Sequence, residues 1–204
     1  VPAFPPDELC QPHEFESMIA AGQPCWIAAD DDDRLLGGAS CEWDDPPRVM
    51  TLAWLAVRPE LRGHGVGSQL LDVAGQAWRE QWGPCLALAE VEDPAHHNGS
   101  AATGDPLARF RFYQRRGARA LDIPYFQAAL RTGAARVPDL LLMVLDGADQ
   151  FAGTRPDTID PTVIRTYLEI YQRQCEGQVG IDPQAMQLWD AIDAQPDGIR
   201  FRDA

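Results

Sequence analysis

The chain of 204 residues contains no lysine; all 17 of its positive residues are arginine. A nucleotide-hydrolase phosphate loop requires a lysine after its glycines, so that loop is excluded. A pyridoxal Schiff base is excluded for the same reason. The five cysteines (Cys10, Cys25, Cys41, Cys85, Cys175) are odd in number, and no pair has Cys-x-x-Cys spacing. This argues against a disulfide framework and for buried thiols in a reducing, cytoplasmic setting. No apolar run approaches the length of a membrane span, and residues 1–15 are polar and proline-rich, unlike a secretory leader. There is no internal repeat and no low-complexity segment. Positive charge is scarce. A net charge of −14 disfavours nucleic acid as a partner. It is compatible with a cationic substrate, although solubility explains it equally well.

Hydrophobic residues make up 45% of the chain and charged residues 24%, enough for one sizeable domain with or without a small appendage. Periodicity predicts a helix over 7–21, with Phe15, Met18 and Ile19 on one face. Strands are expected at 25–30 and 34–43, joined by a turn at Asp31–Asp33, where a hairpin tip of solvated acids outweighs a metal site. A long strand follows at 48–57. A helix is predicted over 66–82, its apolar positions being Leu70, Leu71, Val73, Ala74, Ala77 and Trp78. Then come a buried strand at 85–91, a long loop at 93–106 and a short helix at 107–116. Two more strands are expected at 118–123 and 138–146, separated by an irregular stretch.

The tail differs in texture. Residues 147–160 are polar. Asp160-Pro161 and Asp182-Pro183 then each announce a helix, with aspartate at the cap and proline at the first helical position. One helix turns Val163, Ile164, Tyr167, Leu168 and Tyr171 to one side; the other turns Met186, Trp189 and Ile192 inward. This pair is expected to pack on the main domain or on a second subunit. The expected division is a domain over 1–150 and a helical extension over 151–204.

One segment carries the functional reading. The long strand runs into Arg62-Gly63-His64-Gly65-Val66-Gly67 and then into a helix. Three glycines in five positions leave backbone amides uncovered where the helix opens, and such a terminus attracts anions. A phosphorylated ligand is therefore expected here. The dinucleotide fingerprint fails, because counting from Gly63 puts Ser68 where its third glycine belongs. Arg-x-x-Gly-x-Gly does fit, as Arg62, Gly65 and Gly67.

That pattern, after Leu55-Ala56-Val57 and Arg58-Pro59-Glu60, resembles the acyl-CoA pyrophosphate loop of the GNAT N-acetyltransferases. Arg111-Phe112-Tyr113-Gln114-Arg115-Arg116-Gly117-Ala118 resembles a second signature of that family. The likeness spans roughly residues 15–146, with the element order matching from the family's second strand onward. It implies an α/β (α+β) fold with a mixed, mostly antiparallel central sheet flanked by helices, here with a helical C-terminal extension. It also implies acetyl-CoA as cosubstrate, no metal, and transfer of acetyl to a primary amine by direct attack in a ternary complex. By resemblance, the backbone of Leu55, Ala56 and Val57 would pair with the pantetheine arm and polarise the thioester carbonyl. Arg62, Gly63, His64, Gly65, Val66, Gly67 and Ser68 would cradle the pyrophosphate, and Tyr113 would protonate the leaving thiolate.

The base is expected at Glu90, where related enzymes often carry a catalytic glutamate. Glu92, facing the same side of an extended strand, and Glu42 on the earlier hairpin are alternatives. His96 and His97 read as loop histidines, since no further zinc ligand has the required spacing. Two departures from the family stand out. Pro106 replaces a frequent asparagine, and only 24 residues precede Cys25, too few for the family's first strand and helices. The acceptor is expected to be a small-molecule or peptide amine; nucleic acid and membrane are not expected, and a homodimer is a further expectation. A non-catalytic acyl-CoA-binding sensor or structural module is the alternative of a different class, and an oligomerising protein whose helical tail is the main output is a third.

Overall fold

The computed structural model describes residues 4–5, 8–100, 103–131 and 133–203. The elements run α1 (Pro12–Ala20), β1 (Cys25–Ala29), β2 (Leu35–Asp44), β3 (Val49–Val57), α2 (Val66–Trp82), β4 (Leu86–Glu92) and α3 (Pro106–Gln114). They continue with β5 (Arg119–Ala120), β6 (Tyr125–Gln127), β7 (Val137–Asp146), β8 (Thr158–Ile159), α4 (Pro161–Glu176), α5 (Pro183–Asp193) and β9 (Ile199–Arg200). The central seven-stranded sheet has the order β1-β2-β3-β4-β7-β5, with β6 also on β7. Only β3 and β4 run parallel; every other pair is antiparallel. Among the described residues no strand pairs with the outer edge of β1, where the family's first strand would lie.

Alternation along the strands gives the sheet two apolar faces. Met50, Leu52, Ala87, Ala89 and Met143 pack against Leu70, Leu71, Ala74 and Trp78 of α2 and Tyr113 of α3. Val49, Leu86, Leu88, Leu142 and Val144 pack against Ile164, Tyr167 and Leu168 of α4 and Leu188, Trp189 and Ile192 of α5. The C-terminal helices therefore share one core with the sheet. Each fully buried leucine or isoleucine here contributes about 1.5–3 kcal/mol. The Asp-Pro starts behave as their chemistry requires: Asp160 accepts from Thr162 N (2.8 Å), and Asp182 from Gln184 N (3.1 Å) and Ala185 N (3.2 Å). In the β1–β2 turn, Asp30 Oδ1 accepts from the backbone of Asp32 and Arg34, a hairpin tip as expected.

Several expectations need correction. The first helix begins only at Pro12, with Gln11 as cap and Glu14 bonding back to the Gln11 N–H at 2.6 Å; Asp7, the expected start, lies outside the described residues. The strand expected at 118–123 is regular only over Arg119–Ala120, and a further strand, β6, stands inside the stretch read as irregular. Pro124, which has no N–H to give a ladder, lies between them. Val73 and Met186 are exposed, because α2 turns Leu70, Leu71 and Ala74 inward and α5 turns Ala185, Leu188 and Trp189. All five cysteines are free, but Cys25 is exposed on the edge strand. No helix among the described residues is long and apolar enough to cross a membrane.

Candidate active site

The site is a gap in the sheet. β3 and β4 pair only from Val49–Leu52 to Leu86–Ala89. Beyond Leu52 and Ala89 the two strands part, and a cleft of about 470 Å³ opens between them. A bulge prepares the divergence. Cys41 pairs with Leu52 but Ser40 pairs with Trp54, so Ala53 is an extra residue on β3. A bulge bends its strand and shifts the direction of its peptide groups. Arg58 N donates to Leu36 O, so by antiparallel alternation Trp54 and Ala56 bond to β2. The N–H and C=O groups of Leu55 and Val57 are left facing the gap.

At one end of the cleft lies the glycine loop. Gly63 (φ 82°) and Gly65 (φ 90°) occupy the left-handed region that glycine tolerates best. A Cβ at either would meet nothing within 4 Å, so the backbone is bare there. Gly65 is the N-cap of α2. The N–H groups of Gly65, Val66, Gly67 and Ser68 have no described partner. Opposite stands the N-terminus of α3, capped by Asp105, which accepts from Leu107 N at 3.0 Å. Thr103 and Gly104 bring the preceding loop across to Arg62, whose guanidinium lies 2.9 Å from where a Cβ on Gly104 would stand. Residues 101 and 102 of that loop lie outside the described residues.

Leu55, Ala56, Val57, Arg62, Gly63, Gly65, Gly67 and Ser68 all line the cleft. The side chains of His64 and Val66 do not. His64 Nδ1 lies 3.1 Å from Arg62 O, and Val66 packs into the core beneath α2. Tyr113 lines the cleft from α3 with 6% exposure. Burial raises its phenol above the ordinary range, opposed by the positive charge of Arg109.

At the other end stands Glu90. Gln127 Nε2 donates to its Oε2 at 2.6 Å, and the Tyr125 hydroxyl donates to its Oε1. Burial raises the Glu90 carboxyl, and these hydrogen bonds partly oppose that. Glu92 also lines the cleft, but Arg109 Nη1 holds it at 2.9 Å. Glu42 lies off the cleft lining, on the α4 side of the sheet. Burial first, then Glu90 and Asp44, push it to about 7. His97 is spent on Pro138 O at 3.0 Å, and no group of three or more metal-ligating side chains converges among the described residues.

Four contributors had no signal in the sequence. Glu8 lines the cleft from the proline-rich start, raised to about 7 by burial and by Glu92. Tyr125 and Gln127 come from the stretch read as irregular. Arg109 sits in a helix too polar for periodicity to orient.

Comparison with known proteins bears on this geometry. A family model, the acetyltransferase (GNAT) domain, matches residues 21–117. No curated protein matches the chain. Among solved structures, a protein assigned to the GNAT acetyltransferases from Bacteroides thetaiotaomicron superposes with a TM-score of 0.57 at 24% identity, over 83% of this chain and 85% of its own. A GNAT family acetyltransferase from Elizabethkingia anophelis with acetyl-CoA bound gives a TM-score of 0.45 at 12% identity, over 65% and 82%. The ribosomal-protein-S18-alanine N-acetyltransferase from Escherichia coli gives 0.47 at 16%, over 70% and 78%. The match covers β1 to α3, the parted strands and the glycine loop; over residues 21–117 the chain is similar to the GNAT acetyltransferase domain.

Proposed function

We propose that this chain is an N-acetyltransferase that passes the acetyl group of acetyl-CoA to a primary amine by direct attack within a ternary complex. One observation carries the reading: a single cleft between parted strands has bare helix-terminal amides at one end and a half-buried, hydrogen-bonded carboxylate at the other. The amides suit a pyrophosphate. The carboxylate suits a base.

The chemistry follows from these groups. An alkyl ammonium must lose a proton before its nitrogen can attack. Glu90, raised by burial yet held by Tyr125 and Gln127, takes that proton directly or through water. The nitrogen adds to the thioester carbonyl carbon, and an N–H of Leu55 or Val57 stabilises the oxyanion. The C–S bond then breaks, the thiolate leaves, and the second proton of the attacking nitrogen passes to the sulfur. A phenol raised above its ordinary value is a poor full proton donor to a thiol near 8.5, so Tyr113 acts by hydrogen-bonding the sulfur as its charge develops. The products are the acetamide, the free thiol and one proton released through Glu90.

Residues 1–150 form the catalytic unit in this reading, and 151–204 cover the far face of its sheet. Glu92 serves Arg109 instead of acting as base. The test is an amine panel with acetyl-CoA, reading thiol release, alongside calorimetry. Tight binding of acetyl-CoA without release from any amine would leave the non-catalytic module standing and remove the enzyme.

A further inference from the structure

The acceptor end of the cleft has a second carboxylate, and it comes from outside the sheet. Trp54 Nε1 donates to Glu8 O at 3.0 Å, Arg131 Nη1 donates to Leu9 O at 2.9 Å, and Phe15 stacks edge-on against Trp54 at 5.6 Å. These contacts fix the N-terminal segment beside the open end of β3. Phe4 and Glu8 thereby become part of the cleft wall.

The charges there do not balance. Arg109 is committed to Glu92 at 2.9 Å and to Thr103 O at 2.7 Å. No described arginine forms an ion pair with Glu8 or Glu90. Gln127, 7% exposed, also lines the cleft, and its Oε1 is buried without a partner while its Nε2 serves Glu90. Glu8 and Gln127 Oε1 therefore offer acceptors that lack donors, while Glu90 accepts from Tyr125 and Gln127 but has no cationic partner among the described residues. A buried acceptor left unpaired is costly, so a fitting ligand brings N–H groups. The intervening walls, Phe4, Trp54 and Leu140, are apolar.

We infer that the acceptor carries a second positive charge on an aliphatic stem, and that Glu8 holds this charge while Glu90 serves the attacking nitrogen. The inference rests on the acetyl-transfer reading for the role of Glu90. A monoamine that has given its proton to Glu90 has nothing to set against Glu8; a diamine does. A free amino acid fits poorly, because its carboxylate would enter a wall of acids. Glu8 is surrounded by Glu90 and Glu92 of β4, Arg109 of α3 and His97 of the following loop. Burial and the two acids raise it to about 7, so a bound ammonium expels its proton near neutral pH.

The test compares 1,3-diaminopropane, 1,4-diaminobutane and 1,5-diaminopentane with the monoalkylamines of equal length, at saturating acetyl-CoA. In the unaltered protein kcat/KM favours at least one diamine by about tenfold or more, as one desolvated charge pair allows. Glu8→Gln brings that ratio to near one, and Glu8→Asp restores part of it. Calorimetry of diamine binding at pH 7, in buffers of different ionisation enthalpy, detects proton release that Glu8→Gln abolishes. A ratio near one in the unaltered protein, or a ratio that survives Glu8→Gln, overturns the inference. If monoamines are acetylated while diamines are neither preferred nor bound, this inference alone falls. If no amine is acetylated but Glu8-dependent diamine binding persists, the cation site stands and the acetyl-transfer reading falls.

Discussion

Gln127 donates to Glu90 across the β7 strand that separates them, and with Tyr125 it occupies both oxygens of the carboxylate. The group is thereby oriented into the cleft while burial keeps its proton affinity high. Glu90→Gln should lower kcat by about 10²-fold or more near neutral pH, in line with losing a general base. The ascending limb of the pH–rate profile should disappear with it, and the deficit should shrink at high pH, where free amine is abundant. A variant with an unchanged limb would assign the base elsewhere.

Tyr113→Phe keeps the ring and deletes the hydroxyl. The expected loss is about 10²-fold in kcat, with the Kd of acetyl-CoA within about threefold of the original, because the lost interaction forms mainly as charge develops. Stopped-flow thiol release and calorimetry measure the two quantities. Loss of binding with unchanged turnover would make Tyr113 a packing residue.

Gly65 sits at φ 90° with open space around any added Cβ. Gly65→Ala should therefore act through backbone strain, about 1–2 kcal/mol for a left-handed non-glycine residue. Relief of that strain would swing the first amides of α2, and acetyl-CoA binding should weaken about tenfold. Calorimetry with Gly117→Ala as control separates the site effect from strain in general, since Gly117 has φ 85° and lies off the cleft.

Arg109 and Glu92 form a pair with Glu92 only 6% exposed. Arg109→Gln alone should cost about 3–5 kcal/mol, because it leaves a buried charge uncompensated. Adding Glu92→Gln should recover much of that stability. Urea denaturation of the single and double variants checks it; additive losses would mean that the pair has no coupling.

Glu42 gives a pH prediction with a definite sign. Its carboxyl is raised from 4.5 to about 7, so the native state binds the proton more tightly than the unfolded chain does. The resulting stability is full below about 4.5 and is lost as pH climbs through about 7. Glu42→Gln should flatten this decline and be the more stable form at pH 8, by roughly 3 kcal/mol from the linkage relation. Urea midpoints from pH 5 to 8 read it directly, and a slope unchanged by the substitution would sink the assignment.

The sequence made the glycine loop, the two helix starts at Asp160 and Asp182, and the strand run from Cys25 to Val57 legible, because each rests on local rules of backbone freedom, capping and alternation. Through the family resemblance it also pointed to Tyr113 and Glu90. What it hid is non-local. Nothing in Ala53 announces a bulge, since a bulge is a mismatch between two strands. Tyr125 and Gln127 gain meaning only when β7 pairs with β4 on one edge and β6 on the other. Glu8 is 46 residues from its anchor Trp54, further than any periodicity reaches.

The sealing of the sheet by α4 and α5 has a consequence for synthesis. The catalytic strands and the glycine loop leave the ribosome well before Tyr167 can reach Thr51, with which it shares a hydrogen bond of 2.9 Å. Until that closing contact forms, the nascent polypeptide presents Val49, Leu86, Leu88 and Leu142 to water. A message cut short ahead of residue 161 would yield a sticky, chaperone-dependent product even though every residue proposed here for acetyl transfer had already been translated.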